Sequence, residues 1–335
     1  MHILITGHTG FKGAWLTYLL NELGHQVSGI SLPPRPSSIY AQSNQNRLMQ
    51  TELFADIRDF GSCHKFIAKV MPDAIIHLAA QPLVRKSYRE TLMTYQTNFN
   101  GTLNILEIAT SLGIQSTLIV TTDKVYADQN KITGYVENDT LGGFDPYSNS
   151  KALSDLLTQS YINRNSDRIF GIARAGNVIG GGDDGEERLL SDIFHSLESG
   201  SELTLRNPTA IRPWQYVLDC LYGYYLALQH IKNVETPIWN FGPNLHFAVS
   251  DFVQVFTSKL GRPITISTNR DSGLMKETDA LVLNSSKAQT ELAWSAKFDF
   301  VRTIESTLEW YEDAQEDNVS TATRKQVLKF LDATI

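Results

Sequence analysis

"HILITGHTGFKGAWLTYLLNELG" (residues 2–24) joins a short apolar run to a glycine-punctuated turn and then to leucines at helical spacing. "HILIT" (2–6) reads as a buried strand, and "AWLTYLLNELG" (14–24) as a helix stopped by its glycine. Between them Gly7, Gly10 and Gly13 follow the pattern G-x-x-G-x-x-G. Glycines at a strand-to-helix junction permit a tight turn and let the backbone approach a ligand closely. The helix beyond offers unbonded N–H groups and a partial positive charge, which suit a pyrophosphate. A glycine triplet alone carries little weight; opening a β-α-β series, it reads as a dinucleotide cradle.

The series continues outward from that turn. "QVSGIS" (26–31), "ELFADI" (52–57), "DAIIHLAA" (73–80), "STLIVTTD" (116–123) and "IFGIARAGN" (169–177) read as further strands. "SCHKFIAKVM" (62–71) and "TYQTNFNGTLNILEIATSLG" (94–113) read as helices between them. The alternation predicts an α/β fold, a doubly wound parallel sheet with helices on both faces, over residues 1–175. Beyond that point Gly, Asp and Pro break the order, in "GGGDDGEE" (180–187) and "RNPTAIRPW" (206–214). Residues 176–335 are therefore expected to form mainly a smaller C-terminal lobe, with some segments returning to the sheet. The tail "TRKQVLKFLDATI" (323–335) is expected to be an amphipathic helix.

Bulk properties narrow the function. The 335 residues are 42% hydrophobic and 19% charged, as in a globular protein with a sizeable core. The net charge of −7 argues against a nucleic-acid partner, which needs a basic surface. No apolar run approaches the ~20 residues of a membrane span. The chain opens directly on strand-like sequence, so no signal peptide is expected. Cys63 and Cys220 are far apart and form no ligand pair, which points to a reducing compartment, the cytoplasm. No His, Cys or carboxylate cluster has metal-ligand spacing, so no metal is expected.

"DPYSNSKALSD" (145–155) carries the second signal. Pro146 suits the first turn of a helix, and Tyr147 and Lys151 then share one face at i and i+4. An ammonium beside a phenol favours the phenolate, so Tyr147 is expected to act as a base well below its ordinary pKa of ~10. The second strand ends "GISLPPRP" (29–36) without the acid that usually binds the ribose of NAD. Arg35 stands nearby as either a 2′-phosphate contact or a solvated loop charge, so that strand does not choose between NAD and NADP. Asp56, in "ADIRD", is either an adenine contact or a turn residue. His77, in apolar "IIHLAA", is expected to be a buried, satisfied histidine. Lys12 reads equally as a phosphate contact and as a solvated side chain.

Taken together, "GHTGFKGAWL", "HLAAQPLVRKSY", "NFNGT", "TTDKVY", "GGFDPYSNSK", "RAGNVIGGGD" and "RNPTAIRPWQYV" resemble the extended short-chain dehydrogenase/reductases over nearly the whole chain. Within that family they are most similar to the CDP-glucose 4,6-dehydratases. The resemblance implies a Rossmann-type sheet, a sugar-nucleotide-binding C-terminal lobe, and a homodimer built from helices around residues 95–112 and 147–164. It implies NAD as cofactor, held at Gly7, Gly10, Phe11 and Gly13, at Asp56 and Ile57, at Leu78, Ala79 and Ala80, and at Asn98, Tyr147 and Lys151. One stretch departs from the family: after "GGGD", where relatives have Trp and then Asp-Arg-Leu-Ile-Pro, this chain reads "DGEERLLSD".

The activity implied is dehydration of a nucleotide sugar. Tyr147 would take the C4 hydroxyl proton, with Lys151 supporting it and Thr122 bonded to the same hydroxyl. Asp123 would protonate the departing C6 hydroxyl, which requires its pKa to be raised. Lys124 stands where many relatives have a glutamate, and would act either as a desolvated base or as an electrostatic support. The nucleotide's diphosphate calls for arginine forks, for which Arg188 and Arg212 are the candidates, with Asn177 beside them and Arg85 further off. Another sugar-nucleotide dehydratase, epimerase or reductase of the same family is the first alternative, although simple C4 epimerisation needs no acid at Asp123; a dinucleotide-binding protein without catalysis is the second, and it need not keep Thr122, Tyr147 and Lys151 together.

Overall fold

The computed structural model describes residues 1–164, 169–185, 188–243, 246–268 and 280–334. "HILIT" forms strand β1, His2–Thr6, whose Ile3, Leu4 and Ile5 are all fully enclosed. A strand covered on both faces has no polar alternation, which is why it reads as a continuous apolar run. Six further strands join it: β2 Gln26–Ser31, β3 Thr51–Phe54, β4 Ala74–His77, β5 Ser116–Thr122, β6 Phe170–Ala175 and β7 Ile238–Phe241. They form one parallel sheet in the order β7-β6-β5-β4-β1-β2-β3. The order reverses between β1 and β4, and the crevice outside the strand ends at such a point is where open α/β sheets take ligands.

Helices Phe11–Glu22 and Val217–His230 pack on one face of the sheet. Phe60–Val70, Gly101–Leu112 and Pro146–Arg164 pack on the other. The first helix begins at Phe11, three residues earlier than its apolar run suggests, because Gly10 already has extended geometry and acts as its N-cap. The segment read as one helix over 94–113 is interrupted. Thr91–Tyr95 leads into a π-helical turn, Gln96–Asn100, before Gly101–Leu112 resumes as α-helix.

Beyond β6 the described residues make three two-stranded pairs. Val178–Ile179 pairs with Gln215–Tyr216, Ile211–Arg212 with Phe247–Ala248, and Leu203–Leu205 with Ile266–Thr268. These surround a separate apolar core that includes Trp214, Phe252, Phe256 and Phe300. The last described helix, Val319–Asp332, returns to the first: Tyr18 donates to Ser320 Oγ at 2.9 Å, and Arg324 pairs with Glu22 at 2.7 Å. Among the described residues no helix is long and apolar enough to cross a membrane.

Candidate active site

The turn after β1 has the geometry its glycines anticipate. Gly7 has φ +80°, and a Cβ there would lie 2.9 Å from the backbone nitrogen of Ala79. A Cβ on Gly13 would lie 2.2 Å from Gly7 O, so the helix can start this close to the strand only with glycine. No side chain caps the helix, leaving its N-terminal N–H groups facing the crevice end of the sheet. These features fit the pyrophosphate of a dinucleotide.

The loop after β4 is held by side chains. Asn98 is fully buried; its Oδ1 accepts from Gln81 N at 2.8 Å, and its Nδ2 donates to Gln81 O and to Ser150 Oγ. Its carbonyl also accepts from Ser154 and Thr102. Its amide is thus spent on bracing Leu78–Gln81 against the Tyr147 helix, and the π-helical turn is the local distortion that puts it there. Ile57 packs against Gly101, and its carbonyl accepts from Asn104. Asp56 closes a turn: its carboxylate is gripped by the Arg58 guanidinium, with the nearest contact at 2.7 Å, and by the Arg58 backbone N–H.

His77 is enclosed between two hydroxyls, Thr6 at 2.7 Å and Thr102 at 3.1 Å. Thr102 gives its hydrogen to Asn98 O, so His77 donates from Nε2 and accepts at Nδ1, as a neutral ring. Burial, and then the Lys151 charge, push it down to about 3. Its folded pKa is depressed, so the stability from the neutral ring is full above the unfolded value near 6.5 and drains as pH falls toward 3. Unfolding by urea should show this one group costing about 2 kcal/mol between pH 7 and pH 5. His77→Gln should remove that share of the pH dependence; an unchanged slope would show that the ring titrates alike in both states.

Asp145 is the side-chain cap of the helix Pro146–Arg164, accepting from Ser148 N at 2.9 Å with Pro146 in the first turn. Gly143 lets the preceding loop press on the helix, since a Cβ there would meet Ser148 C at 2.1 Å. Tyr147 N donates to Ser87 Oγ, in the short helix Val84–Arg89 that also carries the half-buried Arg85. Lys151 Nζ donates to Val120 O at 2.7 Å, near the end of β5. Burial, reinforced by the Lys12 charge, pushes this ammonium down to about 8.

The phenol does not behave as its spacing from Lys151 suggests. Burial pushes Tyr147 up to about 12, outweighing the Thr122 hydrogen bond and the Arg188 charge, which both pull it down. Desolvation of a phenolate is the larger effect here, and the Lys151 ammonium is held by a carbonyl instead.

Thr122 and Asp123 sit at the C-terminal end of β5. Thr122 donates to Asp123 Oδ1 at 2.9 Å. Asp123 is 2% exposed, and burial raises its pKa against the opposing pull of Lys124, Thr122, Arg212 and Lys12. Its Oδ2 is buried without a protein partner, with Gly176 and Pro213 close by. Lys124 is half-exposed beside it. Arg212 is buried, and Asn177 O accepts from Gln215 N. Arg188 packs on Gly185, its charge felt at Tyr147 and at Asp183. Glu186 and Glu187, from the stretch that departs from the family, lie outside the described residues.

The site thus gathers Thr122, Asp123, Lys124, Tyr147 and Lys151 with Arg188 and Arg212. Two residues resolve otherwise than their bare sequence context suggests. Arg35 is paired with Asp184 at 2.6 Å, which takes its charge away from a 2′-phosphate role. Lys12 turns inward and donates to Tyr224 OH at 3.2 Å. Tyr224 is a neighbour that sequence reasoning missed; it comes from a helix more than 200 residues away, and no local pattern marks it.

Comparison with known proteins gives the same frame. Residues 3–242 match the NAD dependent epimerase/dehydratase family. A CDP-glucose 4,6-dehydratase of Salmonella typhimurium is 35% identical over 99% of this chain and 96% of its own. Two solved structures share the fold, each at 22% identity and covering 94% of this chain. One is a dTDP-glucose 4,6-dehydratase of Bacillus anthracis in complex with NAD, with a TM-score of 0.81 over 98% of that chain. The other is a UDP-glucose 4-epimerase of Stenotrophomonas maltophila with bound NAD, at 0.83 over 99%. With its glycine turn, its parallel sheet and a family match over more than two thirds of its length, this chain belongs to the NAD-dependent epimerase/dehydratase family.

Proposed function

We propose that the chain is an NAD-dependent 4,6-dehydratase that converts CDP-glucose to CDP-4-keto-6-deoxyglucose and water. The observation that carries this reading is Asp123, a buried acid with an unpartnered oxygen at the end of β5, bonded to the Thr122 hydroxyl beside it. A C4 epimerase needs no such acid. Bound NAD supplies a hydride acceptor and, when oxidised, a positive charge that favours the phenolate.

In this reading Tyr147 takes the proton of the C4 hydroxyl, and Lys151 holds the cofactor side of the site. The C4 ketone acidifies the C5 proton, which passes to a base and returns to C5 once the hydride has reached C6, and Asp123 protonates the C6 hydroxyl as it departs as water. Lys124 is half-exposed, which suits electrostatic support of the enolate better than a desolvated base. Arg188 and Arg212 take the diphosphate, with Asn177 and Arg85 as further contacts. Residues 176–335 form most of the nucleotide-sugar lobe, while β7 and the helix Val217–His230 serve the sheet. The chain acts as a homodimer through the helices on either side of Asn98 and Tyr147, where Leu92, Leu153 and Leu156 are exposed. Two free, buried cysteines accord with a cytoplasmic setting.

The test is a panel of CDP-, dTDP-, GDP- and UDP-glucose, scored by base-induced absorbance of the 4-keto-6-deoxy product and by loss of water in mass spectrometry. CDP-glucose should give the highest kcat/KM. Turnover of another nucleotide sugar in its place would reassign the base; epimerisation without loss of water would replace the reading.

A further inference from the structure

The tip of β2 lacks the feature that ordinarily selects NAD. In open α/β folds an acid there bonds the ribose 2′-OH of NAD, and it repels the extra phosphate of NADP. Here β2 ends in Ser31, whose Oγ lies 2.7 Å from Thr9 Oγ1. Thr9 in turn donates to Leu32 O at 3.1 Å, so the strand tip is tied to the glycine turn. Between Ser31 and Tyr40 the one charged residue is Arg35, a cation that would by itself accommodate a 2′-phosphate.

Arg35 is already engaged. Its Nη2 donates to Asp184 Oδ1 at 2.6 Å, and Ser37 Oγ donates to Asp184 Oδ2 at 2.6 Å. Asp184 is the first residue of the stretch that departs from the family. Both sides of this contact are held by their own loops. Ser38 donates to Arg35 O from its backbone N–H and from its hydroxyl, closing a turn that leads into the short helix Ile39–Gln42. On the opposite side Gly182 has φ +75° and packs on Ile39, where a Cβ would lie 2.5 Å from Ile39 Cγ1. Its N–H donates to Tyr311 OH at 3.3 Å. Asp184, with its side chain only 16% exposed, is thus a fixed carboxylate against the loop that follows β2. On β3, Glu52 is taken by the His8 ring and by Tyr40; just after it, Asp56 is taken by Arg58.

We propose that Asp184 selects NAD over NADP, standing in from the chain beyond β6 for the acid missing at the end of β2. It acts in two ways. It occupies the Arg35 guanidinium that a 2′-phosphate would need, and its charge, fixed beside that arginine, opposes a second anion there. NAD carries a hydroxyl in place of the phosphate, so it neither needs Arg35 nor meets the repulsion. Arg35 is half in solvent, and such a pair adds little to stability. Its effect therefore falls on the choice between cofactors rather than on folding. This selection is independent of the nucleotide sugar that is turned over.

The test is calorimetric titration of the cofactor-stripped protein with NAD and with NADP. Asp184→Asn keeps the side-chain shape and an oxygen for Ser37 while removing the charge. Wild type should bind NAD more tightly than NADP. Asp184→Asn should bind NADP roughly tenfold tighter than wild type does, the size of one charge-assisted contact, and NAD within about twofold. Combining it with Arg35→Gln should abolish that gain, and added salt should shrink it. The proposal is overturned if Asp184→Asn leaves NADP affinity unchanged, if the gain survives the loss of Arg35, or if wild type binds the two dinucleotides equally. Glu52→Gln, titrated in parallel, should leave NADP binding weak; a larger gain there than in Asp184→Asn would move the discriminating acid to β3 and overturn the proposal as well. Should Asp184→Asn not fold, Asp184→Ser is read the same way.

Discussion

Asp123→Asn should stop water loss while sparing the first oxidation. Mixed with CDP-glucose, the variant is expected to accumulate reduced nicotinamide and to form product ~10²–10⁴-fold more slowly. Asparagine has the same shape and still offers an oxygen to the Thr122 hydroxyl. It has no proton to give to the departing C6 hydroxyl. The loss should therefore fall on kcat with little change in binding, and thermal unfolding should be close to wild type. Product formation at near wild-type rate would remove Asp123 as the acid and transfer the role to another group.

Arg174→Leu should bring the largest loss of stability. In the sheet register Thr121, Arg174 and Asn240 are neighbours across β5, β6 and β7. Arg174 is fully enclosed and forks onto the equally enclosed Asp155, with two bonds of 2.8 Å. It also donates to Tyr126 OH and to Glu137 O. Removing it leaves a buried carboxylate with only Thr121 and Gln159 among the donors described here. Losing one member of a buried pair costs about 3–5 kcal/mol. Urea denaturation should show that loss, and Arg174→Leu combined with Asp155→Leu should recover part of it. A single variant within about 1 kcal/mol of wild type would show that Asp155 is protonated or hydrated once the arginine is gone. Asp155 lies one turn beyond Lys151 and raises its pKa, so the single variant should also change the pH profile of catalysis.

Much of this architecture is legible in the sequence because its signals are local. The apolar run 2–6, the glycines at 7, 10 and 13, and the spacing of Tyr147 and Lys151 each depend on neighbouring residues alone. The π-helical turn at 96–100 is not legible. It arises because Asn98 has to reach Gln81 and Ser150 together, and those partners meet only in the folded chain. The raised pKa of Tyr147 is hidden for the same reason: i, i+4 spacing reveals the neighbouring charge but not the burial that outweighs it. β7 is missed as a sheet strand because "IWNF" is short and is separated from β6 by short strand pairs and the helix Val217–His230. Arg35 is ambiguous until Asp184, about 150 residues away, takes its charge. What the residues supply alone is the strand-turn-helix opening and one face of the tyrosine helix; assigning an acid to Asp123 required the family resemblance, and the unpartnered Oδ2 gives that role a physical basis.

The seating of Val319–Asp332 on Phe11–Glu22 has a consequence for synthesis. The helix Phe11–Glu22 is synthesised well before Val319–Asp332, the helix that covers its flank at Tyr18. Until that cover arrives, nascent chains expose the flank carrying Trp15 and Tyr18 and are open to chaperone capture or clumping. Deleting Val319–Asp332 should therefore reduce soluble yield more than it alters the chemistry of whatever molecules survive.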